Sequence, residues 1–292
     1  MTKTPLLEKL KGQVLVANGA MGTMLAAAGV RLSNSAQANL DHPEIVRDIF
    51  RQYAAAGATV FQSNTFAANE TMLKHAGLAD RHDEANELGF SLVREVVPAD
   101  SYVAANIGPC GEMLRPLGLA TAEEVAAVFE RQARVLLALE PDLVLLETFE
   151  ALEELEAAVA GVRAAGLNVP LAITFSFSQP SGRSMMGVSP RQAAEKIVAL
   201  GADLIGANCG LPEVTIAALR DMVEVTDLPL MVQANAGLPE LRAGEACFSG
   251  SPEDSAQLAV EAARIGARIV GGCCGTNPSH VRAMAQALVS HE

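Results

Sequence analysis

Three of the five cysteines are placed where sulfur has chemistry to do. Cys209 lies in Asn208-Cys209-Gly210 at the end of one apolar run. Cys273 and Cys274 lie in Gly271-Gly272-Cys273-Cys274-Gly275-Thr276 at the end of another. Thiolate suits Zn²⁺ in tetrahedral sites, and three protein ligands leave a fourth position open. Adjacent residues of an extended chain point to opposite faces, so both sulfurs of a Cys-Cys pair reach one ion only if the chain turns there. Gly271, Gly272 and Gly275 supply that freedom. The competing reading is a buried structural cluster or a strained vicinal disulfide; the glycine frame and the third cysteine at a matching strand end favour the metal. Cys110 and Cys247 lack such a context and read as packing thiols.

The elements that must bring these residues together are eight short apolar runs, at 14–18, 59–64, 102–107, 143–147, 171–175, 204–208, 230–234 and 269–272. Each is near-continuously hydrophobic, as expected for a parallel strand covered on both faces. Helical patterns lie between them, among them 43–56, 122–139, 151–165, 190–200, 212–225, 252–265 and 278–288. Pro43, Pro190, Pro212, Pro252 and Pro278 mark first turns. Ala56-Gly57, Leu200-Gly201 and Ile265-Gly266 mark helix ends that lead into the next strand. Eight β-then-α units without a linker predict an α/β fold, a single (β/α)₈ TIM barrel over 1–292. An open doubly wound sheet is disfavoured because no Gly-x-Gly-x-x-Gly follows the first run. Two long βα loops are expected at 179–188 and 236–250.

Composition narrows the class further. The 292 residues carry a formal charge of −13, which argues against nucleic acid and anionic lipid as partners. No apolar run is long enough to cross a membrane. The stretch 14–30 resembles a signal peptide only faintly, since Asn18, Gly19, Gly22 and Thr23 interrupt it. An odd number of scattered cysteines fits a reducing compartment. A cytoplasmic enzyme is the expectation.

A barrel builds its site at the C-terminal ends of its strands. Those ends read Asn18-Gly19-Ala20-Met21-Gly22-Thr23, Asn64-Thr65-Phe66, Glu147-Thr148, Asn208-Cys209-Gly210, Asn235-Ala236-Gly237 and the Cys273-Cys274 segment. Together with Ile107-Gly108-Pro109 and Met186-Gly187, this pattern resembles the homocysteine S-methyltransferase family over essentially the whole chain. That family takes in the homocysteine domain of cobalamin-dependent methionine synthase and the betaine–homocysteine methyltransferases. The resemblance implies zinc on Cys209, Cys273 and Cys274, with Asn235 close by as a weak fourth ligand in the empty site. It implies that Glu147 meets the ammonium of homocysteine and that the Gly19–Thr23 turn meets its carboxylate through backbone N–H groups. Asn18, Asn64 and Asn208 are expected among the substrate contacts. A free thiol is only a few per cent thiolate at pH 7, whereas a zinc-bound one is deprotonated, so homocysteine becomes the nucleophile and methionine leaves. No histidine base is needed, and His42, His75, His82, His280 and His291 read as surface residues.

Asn18 stands where the family usually has Asp, which leaves Glu147 to carry the ammonium contact alone. The methyl donor is read from what is lacking. There is no Trp, and Phe66 and Phe149 make a thin cage for a quaternary ammonium. The segment after Cys274 looks closer to methionine synthase, which favours a methylcorrinoid (methylcobalamin type) on a separate partner protein. S-methylmethionine or another sulfonium, and betaine, are the alternatives, with a non-catalytic zinc- or thiol-binding protein as the competing class. Zinc hydrolysis ranks low, because the strand ends offer thiols rather than His and carboxylate ligands.

Overall fold

In the computed structural model of the chain, residues 3–179, 181–242 and 245–290 are described, with side chains outside 241–246. Eight parallel strands form one sheet: β1 (Leu15–Val16), β2 (Val60–Gln62), β3 (Tyr102–Ile107), β4 (Leu143–Phe149), β5 (Leu171–Ser176), β6 (Leu204–Asn208), β7 (Leu230–Ala234) and, last in the chain, β10 (Ala267–Gly272). Their order is β1-β10-β7-β6-β5-β4-β3-β2. The two end strands meet through an Ala17–Val60 bridge, with Thr59 N donating to Val16 O at 2.8 Å and Asn18 N to Val60 O at 3.0 Å. The sheet is thereby a TIM barrel, as the eight runs predict. β1 and β2 are shorter than their apolar runs because the closing seam holds them by these few bonds.

Helix starts follow the expected chemistry. Pro43, Pro190, Pro212, Pro252 and Pro278 all occupy first turns. Capping boxes at Thr121/Glu124, Ser189/Gln192 and Ser251/Asp254 satisfy first-turn N–H groups. Gly57, Gly201 and Gly266 all have positive φ at the helix-to-strand turns.

The segment 236–250 is not a plain loop. It carries an antiparallel hairpin, β8 (Pro239–Arg242) paired with β9 (Glu245–Phe248). Four-residue strands of mixed charge and small apolar residues are too short to be distinguished from a loop by alternation. Two of the histidines are also misplaced by the surface reading. His82 and His280 are buried, while His42 and His75 are exposed. His280 caps its own helix through Asn277 and reaches Gly250 O at 3.0 Å. His291 lies outside the described residues.

The barrel interior changes character along its axis. At the N-terminal end it is apolar: Leu15, Val60, Leu143, Leu204 and Ile269, plugged by Leu6 and Leu10 of the first helix. Two or four residues on, the same inward-facing rows become polar, with Gln62, Asn106, Glu147, Thr174, Asn208 and Gln233 all buried. This polar layer is the floor of the site.

Candidate metal centre

Cys209 follows β6, where Ile205 and Ala207 face the helix layer. Strict alternation would send Cys209 the same way. Its φ of 56° breaks the alternation. A left-handed non-glycine residue is uncommon and marks a position fixed by its surroundings. After β10, Thr276 N donates to Cys273 O at 3.1 Å, with Gly275 at φ 80° closing the turn. This is the turn the Cys-Cys pair requires. A β-carbon on Gly275 would lie 2.2 Å from Phe248 Cγ, and one on Gly272 2.3 Å from Thr276 Oγ1.

The three sulfurs consequently lie within 4.8 Å of one another, with Cys209 and Cys274 at 4.0 Å. The Cys209 and Cys273 thiols donate to Cys274 and hold its pKa far below the ordinary thiol value. Cys273 is raised by donating to Cys209 and Cys274 and by burial. Cys209, although Cys273 donates to it, is pushed up to about 12 by its own donation to Cys274 and by burial. Three soft sulfur donors converging on one point match what Zn²⁺ accepts, and the donor set fits the metal.

β7 runs between the two cysteine segments and ties them. Cys209 N donates to Gln233 O at 3.0 Å, and Cys273 N to Ala234 O at 2.8 Å. The Asn235 amide donates to Cys209 O at 3.1 Å and accepts from Cys274 N at 3.0 Å.

Glu147 projects from β4 into the polar layer and is 7% exposed. Asn106 Nδ2 donates to one carboxylate oxygen at 2.8 Å and Gln62 Nε2 to the other at 3.1 Å. Gln62 also reaches Gln233 Oε1 at 2.8 Å. Burial pushes the Glu147 carboxyl up to about 7; the Asn106 bond opposes the rise, the Cys274 charge adds to it, and the Gln62 bond opposes it. Asn106 Oδ1 and Asn208 Oδ1 are buried without a partner among the described residues, while Asn208 Nδ2 donates to Thr148 Oγ1 at 2.6 Å.

Around the first turn, Asn18 Oδ1 accepts from Gln62 N at 2.7 Å and Asn18 Nδ2 donates to Gly19 O at 2.8 Å. Ala20 N is held by Thr276 Oγ1 at 3.2 Å, and Tyr53 OH donates to Ala20 O at 2.7 Å. Gly22 and Thr23 open a short helix, Gly22–Ala27, with Met21 at its N-cap. Asn64 is elsewhere: its amide binds Ser35 O and Asn39 Oδ1 at 2.9 and 2.8 Å, in a buried asparagine cluster that anchors the loop after β2. Phe149 is fully buried against Phe129, ring centroids 5.8 Å apart, which removes it from any aromatic cage.

Thr148 and Thr276, named at the strand ends, belong to this assembly, and so do Gln62, Asn106, Gln233 and Tyr53, which a reading of strand ends misses. Inward parity would have found three of them: Gln62, Asn106 and Gln233 stand two residues beyond inward-facing Val60, Ala104 and Met231. Cys110 is fully buried, its thiol pushed up to about 12 chiefly by burial. Cys247 lies in β9 away from the cluster.

A parallel barrel with a buried carboxylate and a converging three-cysteine cluster at its C-terminal mouth defines a TIM-barrel protein with a thiol cluster able to hold a metal ion. The pattern of one such family, homocysteine S-methyltransferase, matches residues 15–288. The chain is 33% identical to methionine synthase of Mycobacterium leprae over 98% of its own length and 25% of that protein. It is 32% identical to betaine–homocysteine S-methyltransferase 1 of Danio rerio, over 98% of this chain and 76% of that one. The metallated form of the Escherichia coli homocysteine methyltransferase MmuM superposes with a TM-score of 0.80 at 25% identity, covering 97% of this chain and 99% of that one. The chain belongs to the homocysteine S-methyltransferase family, a family of methyltransferase enzymes. It spans about a quarter of the length of the methionine synthases it matches. No helix among the described residues is long and apolar enough to cross a membrane.

Proposed function

We propose that the chain, acting as one barrel unit in a reducing cytoplasm, transfers a methyl group to the sulfur of homocysteine to give methionine. The observation that carries this is the convergence of Cys209, Cys273 and Cys274 within 4.8 Å, beside a buried carboxylate. Zn²⁺ on those three sulfurs would keep the acceptor thiol deprotonated and nucleophilic. The remaining work falls to side chains. Glu147 binds the ammonium of the acceptor, oriented by Asn106 and Gln62. Asn208, held by Thr148, presents its unpartnered Oδ1 in the same polar layer. The turn 19–23, fastened by Tyr53 and Thr276, is the place for the acceptor's carboxylate.

For the donor, a methylcorrinoid on a separate protein is the preferred reading. The mouth supports it in two ways. Met113, Leu117, Leu119, Met185 and Leu238 are large apolar residues more than half exposed, all on βα loops of that face. A cavity of about 550 Å³ beside Thr148 is lined by Met113, Met186, Leu117 and Glu150 without one aromatic ring, which disfavours a quaternary ammonium donor. The test is methionine formation from homocysteine and methylcob(III)alamin, under reducing conditions, with zinc-loaded and zinc-stripped protein side by side. Zinc-dependent product is expected. No product from protein holding one zinc would overturn the corrinoid preference and turn the assay to S-methylmethionine and betaine.

A further inference from the structure

The ladder between β1 and β10 thins out just below the site. Its register ends at Val16 opposite Val270, and after Ala17 the link from Gly272 N to Asn18 O is stretched to 3.5 Å. Past that point one chain enters the turn 19–23 and the other the cysteine turn, and the side chain of Thr276 joins them. Thr276 is 2% exposed; its hydroxyl accepts from Ala20 N at 3.2 Å and donates to Cys273 O at 2.7 Å. Both chains are shaped around it. A β-carbon on Gly19 would lie 2.7 Å from Thr276 Oγ1, and one on Gly272 2.3 Å from it. Tyr53 OH backs the junction, donating to Ala20 O at 2.7 Å and lying 3.3 Å from Thr276 O.

We infer that Thr276 is a positioning residue whose hydroxyl fixes the span between the turn 19–23 and the cysteine turn, and so favours acceptors held at both ends. A thiol amino acid with its carboxylate at one turn and its sulfur at the other bridges that span. If the span can vary, fixing one end no longer places the other, and the loss falls mainly on such two-ended acceptors. A hydroxyl suits the task because it donates and accepts at once. Valine, the same shape, does neither, whereas serine does both. The cysteine turn itself stays closed without the hydroxyl, since Thr276 N donates to the same Cys273 O at 3.1 Å.

The inference rests on the acceptor reading above, and the two fail separately. Zinc-loaded wild type, Thr276→Val and Thr276→Ser are titrated by calorimetry with homocysteine and with 3-aminopropanethiol, which is homocysteine without its carboxylate. Hydrogen exchange at the Ala20 amide is followed in the same proteins. Thr276→Val should bind homocysteine roughly 10-fold more weakly, the scale of about one or two lost hydrogen bonds, while its affinity for 3-aminopropanethiol moves far less. Thr276→Ser should stay near wild type for both, and Ala20 should exchange faster in Thr276→Val alone. Equal losses for the two acceptors, a loss that Thr276→Ser shares, or undiminished homocysteine affinity in Thr276→Val would overturn the inference. So would a matching loss of zinc affinity in a chelator titration, which would make the hydroxyl a support of the metal site itself. Should wild type bind both acceptors equally, or neither, the acceptor reading fails. The link is then judged on exchange alone, and equal exchange at Ala20 in Thr276→Val and wild type would overturn it.

Discussion

Asn106 donates to Glu147 at 2.8 Å while its own carbonyl oxygen stays buried with no partner among the described residues. The pair therefore holds the carboxylate in place and leaves an acceptor open next to it. A substrate ammonium has three N–H donors and can use both, which neither a thiol nor an apolar group can.

Replacing Glu147 by Gln should stabilise the empty protein and disable it. Burial raises this carboxyl from 4.5 to about 7. A raised carboxyl pKa leaves stability intact below the unfolded value and costs it as pH rises through the folded one, so the loss develops between about 4.5 and 7. Above that window it is on the order of 3 kcal/mol. In Glu147→Gln the Asn106 amide can turn and accept from the new NH₂. Thermal melts should show Glu147→Gln gaining on wild type at pH 8 and not at pH 4.5, with homocysteine binding lost at both. An equal gain at both pH values would contradict this account of Glu147.

Restoring the aspartate typical of the family is not expected to help. Asn18→Asp would keep the bond from Gln62 N but place a carboxylate oxygen against Gly19 O, where a 2.8 Å hydrogen bond now stands. The buried repulsion should cost about 1–3 kcal/mol. A lower melting temperature with no fall in KM for homocysteine is predicted. A tenfold fall in KM would show that Asn18 limits binding.

Gly275→Ala should weaken fold and site together. Gly275 sits at φ 80° under the Phe248 ring. A methyl group there displaces Phe248 and strains the Cys273–Thr276 turn, costing about 1–3 kcal/mol. Zinc affinity should fall with it. The double variant Gly275→Ala/Phe248→Ala, which removes the clash but not the strained φ, should recover only part of the loss in a chelator titration.

Alkylation should sort the cysteines. In zinc-loaded protein Cys247, half-buried on the hairpin, reacts first. Cys110, fully buried with its thiol pushed up to about 12, reacts last. Peptide mapping after iodoacetamide reads the order, and rapid labelling of Cys209, Cys273 or Cys274 under these conditions would speak against a metal held by all three.

The barrel was legible because each strand is buried on both faces and many of the helices carry their own start or stop residues. The hairpin at 239–248 was not, because four-residue strands have no period to detect. The cysteine cluster was legible from types and spacing, yet what aims Cys209 is a left-handed φ that no residue type announces. Asn64 shows the converse: a polar strand end at a barrel mouth reads as a contact, and no residue type announces that its NH₂ group is taken by Ser35 and Asn39. Gln62, Asn106 and Gln233 were within reach of parity, since each continues an inward row whose earlier members are apolar.

The central claim is that three cysteine sulfurs hold zinc with one position open to the acceptor thiol. X-ray absorption at the zinc edge tests it most directly, on protein with and without homocysteine. The account predicts three sulfurs at about 2.3 Å and one light atom without homocysteine, and four sulfurs with it. A coordination shell that homocysteine leaves unchanged would contradict it.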